Sequence, residues 1–460
     1  MRWHGACFAA RMPRILWIAA VLAAASATAL AQDLPITSAP PNIIVPNYNG
    51  VPTGPLGGLE GSAYVARATD TSAPWFNPAG LTRAGTQISG SAGTYKVTTV
   101  SPQFLATNGG STQQVPNLVG ATAKLGKFTV GFTLLTTISW AQGTDTDEVF
   151  TNEDSNAERF AFSADSAMNQ RVSGGAIGYD IGKKWRLGAG LAIVQTSVRS
   201  AQIISDRIKY PQTIETLLIS SRTGGSSDSI RAIVGVQFEP TPAVQIGGVI
   251  RTTGLQYGRS GSVTLDSTLD GTVQSIGASI FNPEAQFDFK LPFESAAGVA
   301  LVGKRAQVEF DVQGYSSIPA YPMLTPTQPL TIYNDPGNGA APVTTQRTLP
   351  PIIMASKAVT NFSVGGHVQL LESRPLTVHA GVSTDHTPVA PEDQVFDEVD
   401  FVVWTAGVSG SVGRLSFALG ANYRKGTSEN VILHNLLTEP IQTSISVKTV
   451  GFTYSINYKF

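Results

Sequence analysis

Two histidines have a spacing that could support chemistry. His367 and His379 have the same parity on two strand-like segments joined by a short turn at residues 371–375. If that turn pairs Leu370 with Leu376, the two imidazoles lie directly opposite each other in a hairpin. Two imidazoles can bind a metal ion or respond to pH near neutrality, but the sequence identifies no third ligand. We therefore expect a histidine pair without a metal site.

The motifs of common enzyme classes are absent. The sequence contains no G-x-S-x-G, no H-E-x-x-H and no phosphate-binding loop. Its single cysteine, Cys7, lies in a segment that we expect to be removed, so the mature chain would have no thiol for catalysis, metal binding or disulfides. The net charge of −1 provides no basic surface for nucleic acid. We predict a protein that is not an enzyme, needs no cofactor and binds no nucleic acid.

The first 31 residues have the pattern of a secretory signal peptide. Arg11 and Arg14 precede an apolar run that ends in Ala-Leu-Ala before Gln32. The alternative is an anchoring transmembrane helix, for which the run is short. We expect cleavage before Gln32 and leave open whether translation starts at Met1 or Met12.

Alternating polarity is the main structural signal beyond this segment. At residues 128–140, 414–424 and 452–460, apolar side chains occupy every second position, and polar or small side chains occupy the positions between them. Side chains alternate between the two faces of a strand, so each segment predicts a strand with one apolar face. Only 14% of residues are charged and 46 are glycine, which is typical of a chain that buries apolar strands in lipid.

The connections between these segments alternate in length, which separates a membrane barrel from a sandwich. Short turns at 125–127, 182–184, 239–242, 303–305, 371–375 and 411–413 alternate with polar segments at 101–111, 141–157, 204–228, 258–283, 317–356, 387–399 and 425–442. Counting strands between them predicts an all-β fold: a 14-stranded antiparallel transmembrane β-barrel. The terminal Phe460 resembles the signal read by the barrel-assembly machinery.

Residues 32–85 do not follow the strand pattern and contain a specific resemblance. After a proline-rich start, the chain has a small and acidic run, an aromatic pair (Trp75, Phe76) and then Asn77-Pro78-Ala79-Gly80. The bland interpretation is a turn. The segment as a whole resembles the hatch motif of the FadL/OmpP1/TodX family of outer-membrane transporters for hydrophobic compounds.

Further matches to this family lie downstream. They comprise Leu291-Pro292 with Gly298 and Asp311, the segment from His379 to Val389, and the layout of the strands from Trp404 to Phe460. The resemblance implies a barrel (86–460) plugged by an N-terminal hatch (32–85), which Asn77, Pro78, Ala79 and Gly80 would shape. It also implies ligands such as long-chain fatty acids or hydrocarbons, which leave through an opening in the barrel wall.

Apolar residues in two expected outer loops are candidates for ligand capture. Leu217, Leu218 and Ile219 form a cluster in 204–228, and in 258–283 apolar residues recur at helical spacing. The latter are Leu265, Leu269, Val273, Ile276 and Ile280. These loops either form an apolar capture groove or only pack on each other to cap the barrel.

Two arginines are candidates for binding a carboxylate ligand. Arg251 and Arg424 have inward parity near the expected outer rim. The alternative is an ion pair inside the lumen with acids such as Glu309 or Asp311.

We therefore expect a monomeric barrel in the bacterial outer membrane, in contact with membrane lipids and lipopolysaccharide, that transports a hydrophobic small molecule. The alternative is a general-diffusion or structural barrel without ligand specificity. The residues do not identify the ligand or the position of the wall opening.

Overall fold

The computed structural model describes residues 47–51, 53–100, 111–151, 156–211, 213–271, 274–337, 339–370, 376–389, 399–433 and 441–460. The expected signal peptide and the proline-rich start of the hatch lie outside these residues, as do the turn at 371–375 and the candidate residue Val273. The described residues form one antiparallel sheet that closes on itself.

Twenty strand segments make up this sheet. They are β1 (Gln87–Val100), β2 (Ser111–Leu125), β3 (Phe128–Thr151), β4 (Ala157–Ile181), β5 (Trp185–Lys209), β6 (Ile214–Thr241), β7 (Val244–Arg251), β8 (Leu255–Asp270), β9 (Ser275–Phe287), β10 (Glu294–Val302), β11 (Ala306–Tyr315), β12 (Ile318–Thr325), β13 (Leu330–Asp335), β14 (Val343–Arg347), β15 (Ile352–Ser356), β16 (Val359–Gln369), β17 (Leu376–Asp385), β18 (Asp400–Val412), β19 (Leu415–Leu433) and β20 (Ile441–Lys459).

These segments form 14 barrel strands in the described chain, which confirms the count expected from the sequence. β6 pairs with both β7 and β8, so these two segments are one strand with a break. Three further strands are broken in the same way: β9 with β10, β11 with β12, and β15 with β16. An additional hairpin, formed by β13 and β14, pairs with β9. β20 pairs with β1 from Lys459 to Ser446, which closes the barrel.

The apolar rows face outward, as their alternation predicted. Phe417 and Leu419 on β19 are 49% and 56% exposed, whereas Ala418 between them is buried. The last strand repeats this pattern with Phe452, Tyr454, Ile456, Tyr458 and Phe460, all exposed. An apolar outer face is stable only against lipid or another apolar surface, so the belt is suited to a membrane. Among the described residues, no helix is long and apolar enough to cross a membrane.

The alternation in β3 changes phase at a bulge. Phe132 and Leu134 face outward as expected, but the pairing with β4 shifts by one residue between Thr136 and Ile138. The extra residue, Thr137, turns the following even positions inward, and Ile138 is 2% exposed. The expectation that Ile138 shares a face with Phe132 was therefore wrong.

Five of the seven expected outer loops are mostly strand. β3, β4, β5, β6, β8 and β9 continue through most of 141–157, 204–228 and 258–283, so the barrel wall extends well beyond its apolar belt. Strands also cover most of 317–356 (β12 to β15) and of 425–442 (β19 and β20). The helical interpretation of 258–283 was wrong. A spacing of four residues also places side chains on one face of a strand, so it did not distinguish a strand from a helix.

Candidate functional site

An irregular segment, residues 47–85, lies inside the barrel against the wall. It contains a 3-10 helix (Gly57–Leu59), one α-helical turn (Ala73–Phe76) and a second 3-10 helix (Pro78–Arg83). Almost all its described residues are buried, including Tyr64 and Leu81 at 2% and 0% exposure. We call this stretch the N-terminal segment.

Asn77 joins the N-terminal segment to the wall with its side-chain amide. Its Nδ2 donates to the carbonyls of Val65, at 2.9 Å, and of Val236 in β6, at 3.0 Å. Its Oδ1 accepts from the amide of Ala79 at 3.1 Å and so caps the second 3-10 helix. An amide that donates twice and accepts once at this position explains why the motif contains asparagine.

Glycines on the inner face of the wall allow the motif to approach closely. A Cβ at Gly188 would lie 2.2 Å from the carbonyl carbon of Pro78, and one at Gly235 would lie 2.1 Å from Oδ1 of Asn77. Within the motif, a Cβ at Gly80 would lie 1.5 Å from the carbonyl oxygen of Ala68. Gly188 therefore faces the lumen, and its lack of a side chain permits contact with the motif.

Arg251 is bound by acidic and carbonyl groups within the barrel. Its Nη1 donates to Glu294 at 3.0 Å and its Nη2 to the carbonyl of Trp75 at 2.7 Å. Its guanidinium also lies 4.3 Å from the centre of the Trp75 ring. Arg231 binds the other oxygen of Glu294 at 2.5 Å, so one carboxylate bridges two buried arginines.

Arg424 has an equivalent arrangement on the other side of the barrel. Its Nη2 donates to Asp385 at 2.6 Å and its Nη1 to the carbonyl of Gly50 at 3.2 Å. Both arginines therefore form ion pairs, but their partners are not the acids expected from the sequence, Glu309 and Asp311. Glu309 and Asp311 instead accept backbone amides of the N-terminal segment, from Ala66 and from Tyr64 and Val65 respectively.

A cavity lies between the N-terminal segment and the wall. Aromatic and apolar side chains form about half of its lining, and three charged residues (Arg251, Glu294 and Asp311) together with amide and hydroxyl side chains form the rest. The aromatic and apolar residues are Tyr48, Val51, Val65, Trp75, Phe76, Ile138, Met168, Phe289, Leu291, Pro292, Ala296 and Tyr315. The cavity therefore offers both apolar surface and polar groups that could orient a small molecule.

Most of the candidates for ligand capture lie on the lumen-facing side of the barrel wall, at its outer end. Ile219 and Leu265 are 1% and 7% exposed, and Leu217 pairs with Leu269 across β6 and β8. Ile276 and Ile280 of β9 continue the same inner surface. Leu218 has the opposite parity and is 43% exposed on the outer face, so it does not belong to this surface.

The inner face of β9 connects that surface to the cavity. Ile280 and Phe287 lie along it and are 4% and 1% exposed, and Phe289 and Leu291 follow directly and line the cavity. A largely apolar row, interrupted by the buried Asn282 at a shift in register, therefore extends from the outer end of the wall into the lumen.

The ladder between β2 and β3 is incomplete. It runs from Leu125–Phe128 to Leu118–Leu135 and stops there, although β2 continues paired with β1 and β3 continues paired with β4. Pro116, which has no amide hydrogen, lies just beyond the last pair. Oγ1 of Thr136 still donates to the carbonyl of Pro116 at 2.8 Å, so the gap in the ladder begins beyond this bond. It lies next to the bulge at Thr137, whose carbonyl accepts the amide of Val51 at 3.2 Å.

The two histidines are paired as expected and share a partner from the N-terminal segment. His367 lies opposite His379, and the amide of Leu370 donates to Leu376 at 2.9 Å. The Nδ1 atoms of His367 and His379 lie 2.8 and 2.7 Å from the same oxygen of Glu60. Burial favours a raised pKa at Glu60, but these hydrogen bonds and the charge of Arg67 outweigh it and lower the pKa to about 2.

Sequence reasoning missed the long-range partners of each predicted residue. It did not identify Glu60 as a contact of His379, or Trp75 as a contact of Arg251, because 319 and 176 residues separate them. It did not identify Glu294 because the pairing of β7 with β10, which places Glu294 opposite Arg251, depends on how β8 and β9 are arranged between them. The available signal was strand parity, which predicts which charged side chains face the lumen. It identified the residues that need an ion-pair or hydrogen-bond partner, but it did not identify the partner.

No family model matches the sequence, and no curated protein matches it either. Solved structures do match. The chain is similar to a FadL homologue of Pseudomonas aeruginosa, with 15% identity, a TM-score of 0.58 and coverage of 91% of this chain and 100% of that one. It is also similar to the toluene transporter TodX of P. putida (14% identity, TM-score 0.58, coverage 90% and 99%) and to the toluene transporter TbuX of Ralstonia pickettii (15%, 0.52, 90% and 99%).

The protein thus has the architecture of a 14-stranded antiparallel β-barrel with an N-terminal segment in its lumen. More narrowly, its fold is that of the FadL and TodX structures, as the resemblance in the sequence implied.

Proposed function

We propose that this protein is an outer-membrane channel that takes up hydrophobic small molecules. The observation that carries the proposal is the apolar row on β9. It connects the lumen-facing surface at the outer end of the wall, through Ile280 and Phe287, to the cavity at Trp75. The named activity of the similar structures, toluene transport, is in keeping with this route.

The proposed path has three steps. A ligand is first captured on the surface formed by Ile219, Leu265 and their neighbours. It then moves along β9 into the cavity against the N-terminal segment, and it leaves through the gap between β2 and β3. Each buried CH₂ contributes roughly 0.8 kcal/mol, so an apolar path can hold the ligand while it crosses the polar lipopolysaccharide layer.

The hydrogen bonds of the arginines along this path favour uncharged ligands. Arg251 and Arg424 were candidates for holding a carboxylate, but the guanidinium nitrogens of Arg251 already donate to Glu294 and to the carbonyl of Trp75, and Arg424 is paired with Asp385. A fatty acid would have to displace these buried partners, which is costly because they would be left without a donor. We therefore favour monoaromatic or aliphatic hydrocarbons over fatty acids.

The N-terminal segment acts as the hatch in this proposal. Its shape depends on Asn77, Pro78, Ala79 and Gly80, which take part in no reaction. The glycines of the wall allow the hatch to pack closely against it. Export with a cleaved signal peptide, insertion by the barrel-assembly machinery through Phe460 and a monomeric state in contact with lipopolysaccharide complete the proposal.

Uptake of a radiolabelled hydrocarbon by cells that express the protein tests this function. Ile219→Asp places a charge on the inner apolar surface, and Leu218→Asp places the same charge on the outer face one residue away. We expect Ile219→Asp to reduce saturable toluene uptake by about tenfold or more, which corresponds to roughly 1.4 kcal/mol of lost binding. Leu218→Asp should leave uptake unchanged at equal barrel abundance.

Equal uptake by both variants would contradict the proposal. Uptake that does not saturate and extends to small polar solutes would instead indicate a general-diffusion barrel.

A further inference from the structure

One residue of the N-terminal segment, Glu60, contacts groups from two wall strands, β16 and β17. Gly365 and Gly381 pair across β16 and β17, and a Cβ on either would lie 1.9 or 2.2 Å from the backbone of Glu60. The next inward pair on the same two strands is His367 and His379. The glycine pair therefore accommodates the backbone of Glu60, and the histidine pair contacts its carboxylate.

Three potential ligand atoms converge at this point. Oε1 of Glu60 and the Nδ1 atoms of both histidines all lie within 4.8 Å of one another. Glu60 and His379 are 0% and 2% exposed, and the side chain of His367 is 20% exposed, which leaves a route of entry. Two imidazole nitrogens and one carboxylate oxygen form a donor set that zinc commonly uses, with a water completing a tetrahedron.

Further hydrogen bonds orient His379 and Glu60 through the atoms that do not face this point. Nε2 of His379 lies 2.7 Å from Oγ of Ser409 on β18. When a metal ion binds Nδ1, the proton of the imidazole moves to Nε2, and Ser409 is placed to accept it. The other oxygen of Glu60 accepts from Arg67 at 2.6 Å, which orients the carboxylate and leaves Oε1 as the single oxygen that faces the imidazoles.

The charges of the cluster leave room for a cation. Arg67 binds both Glu60 and Glu309. In the described chain these two carboxylates share the single guanidinium that contacts them, so neutral histidines leave an excess of one negative charge. Buried charge must be compensated, and a cation bound beside Glu60 would do so.

We propose that Glu60, His367 and His379 form a binding site for a divalent metal ion of the zinc type, which clamps the N-terminal segment to β16 and β17. The ion would take the place between Oε1 and the two Nδ1 atoms that hydrogen bonds now span at 2.7 and 2.8 Å. Ligand distances near 2.0 Å at tetrahedral angles require about 3.3 Å between ligand atoms, so the groups must separate by roughly half an ångström. Each neutral imidazole moves its proton from Nδ1 to Nε2, and no net proton is released.

Zinc titration of the purified, chelator-treated protein in detergent tests the site. We expect one equivalent of Zn²⁺ to bind, and we expect His367→Asn, His379→Asn and Glu60→Gln each to weaken binding by a factor on the order of a hundred or more. Ser409→Ala keeps the three ligands and should weaken binding by about tenfold through loss of ring orientation. His386→Asn is the matched control, because the imidazole of His386 bonds to the carbonyl of Thr360 and takes no part in the cluster.

Two further measurements use the wild-type protein and so do not depend on the variants folding. Co²⁺ in place of Zn²⁺ should produce the visible absorption of a tetrahedral nitrogen–oxygen site. Zn²⁺ should also slow hydrogen exchange in residues 57–66, which a metal bound elsewhere would not do. Absence of saturable binding to the wild type, or equal affinity in folded His367→Asn and His379→Asn, would overturn the proposal and indicate protonated histidines as the compensating charge.

Discussion

The guanidinium of Arg251 donates to the backbone carbonyl of Trp75 at 2.7 Å and lies 4.3 Å from the centre of the same residue's indole ring. Arg251 belongs to β7 in the wall, and Trp75 belongs to the N-terminal segment. A charge-assisted hydrogen bond and a cation–π contact therefore join two parts of the chain at a buried position beside the cavity.

Removing this link should loosen the N-terminal segment without unfolding the barrel. Arg251→Gln leaves Glu294 paired with Arg231 but removes the charged donor to Trp75. A hydrogen bond to a charged group contributes roughly 1.5–3 kcal/mol, so we expect hydrogen exchange at residues 73–76 to increase by about tenfold or more. Hydrogen exchange with mass spectrometry measures this.

The control for Arg251→Gln is Arg159→Gln, which breaks an exposed ion pair with Asp147. It should leave exchange in the N-terminal segment unchanged. An equal increase in both variants would mean that the link from Arg251 to Trp75 does not hold the segment.

Adding one methyl group to the wall should displace the hatch motif. A Cβ at Gly188 would lie 2.2 Å from the backbone of Pro78, closer than any real contact, so Gly188→Ala must push the motif away. We expect larger single-channel conductance in planar bilayers, because the lumen is less well filled. Gly175→Ala on the neighbouring strand adds a Cβ whose nearest neighbour is 3.9 Å away and should leave conductance unchanged. Unchanged conductance in Gly188→Ala would contradict the proposed plug.

Deleting Thr137 should close the proposed exit. The deletion makes Thr136 and Ile138 adjacent, so that their pairs with Arg171 and Gln170 become consecutive and β3 loses its bulge. We expect hydrocarbon uptake to fall by about tenfold or more while the barrel remains folded, as judged by heat-dependent mobility in electrophoresis. Normal uptake by the deletion variant would place the exit elsewhere.

The outer end of the wall should be more stable at mildly acidic pH. Burial and the neighbouring carboxylate of Glu158 raise the pKa of Asp206 from 3.8 to about 6. Asp206 lies near the end of the 25-residue strand β5, beyond the 9–11 residues that span a membrane. The folded state holds this proton more tightly than the unfolded chain, so its contribution to stability is complete below pH ~4 and is lost as the pH rises through about 6.

Hydrogen exchange at the ends of β4 and β5, corrected for the intrinsic rate, measures this dependence. Protection should be greater near pH ~5 than near pH ~7.5 in the wild type, and Asp206→Asn should flatten the profile. A profile that keeps its slope in Asp206→Asn would assign the effect to another group.

The sequence was sufficient to predict the barrel because strand parity and turn chemistry are local. The alternation at 414–424 and the short turns at 182–184 and 303–305 each depend on neighbouring residues, and the strand count follows from them. The change in which positions of β3 face the lumen could not be predicted. It is caused by the inserted residue Thr137, and no residue type marks such an insertion in the sequence.

The candidate site was only partly predictable for a related reason. The pairing of His367 with His379 follows from one hairpin and was correct. Their common partner, Glu60, lies 307 and 319 residues away, and only the packing of the whole lumen brings it there. Likewise, inward parity identified Arg251 and Arg424 as residues in need of a partner, but the folded chain selected Glu294 and Asp385.

Mass spectrometry of the gently extracted protein tests the central claim most directly, because it asks whether the lumen holds a hydrophobic molecule. We predict that cells grown with a monoaromatic or aliphatic hydrocarbon yield protein with that compound bound, and that Ile219→Asp yields much less of it. Wild-type protein that carries no such compound after growth on a range of hydrocarbons and fatty acids would contradict the account.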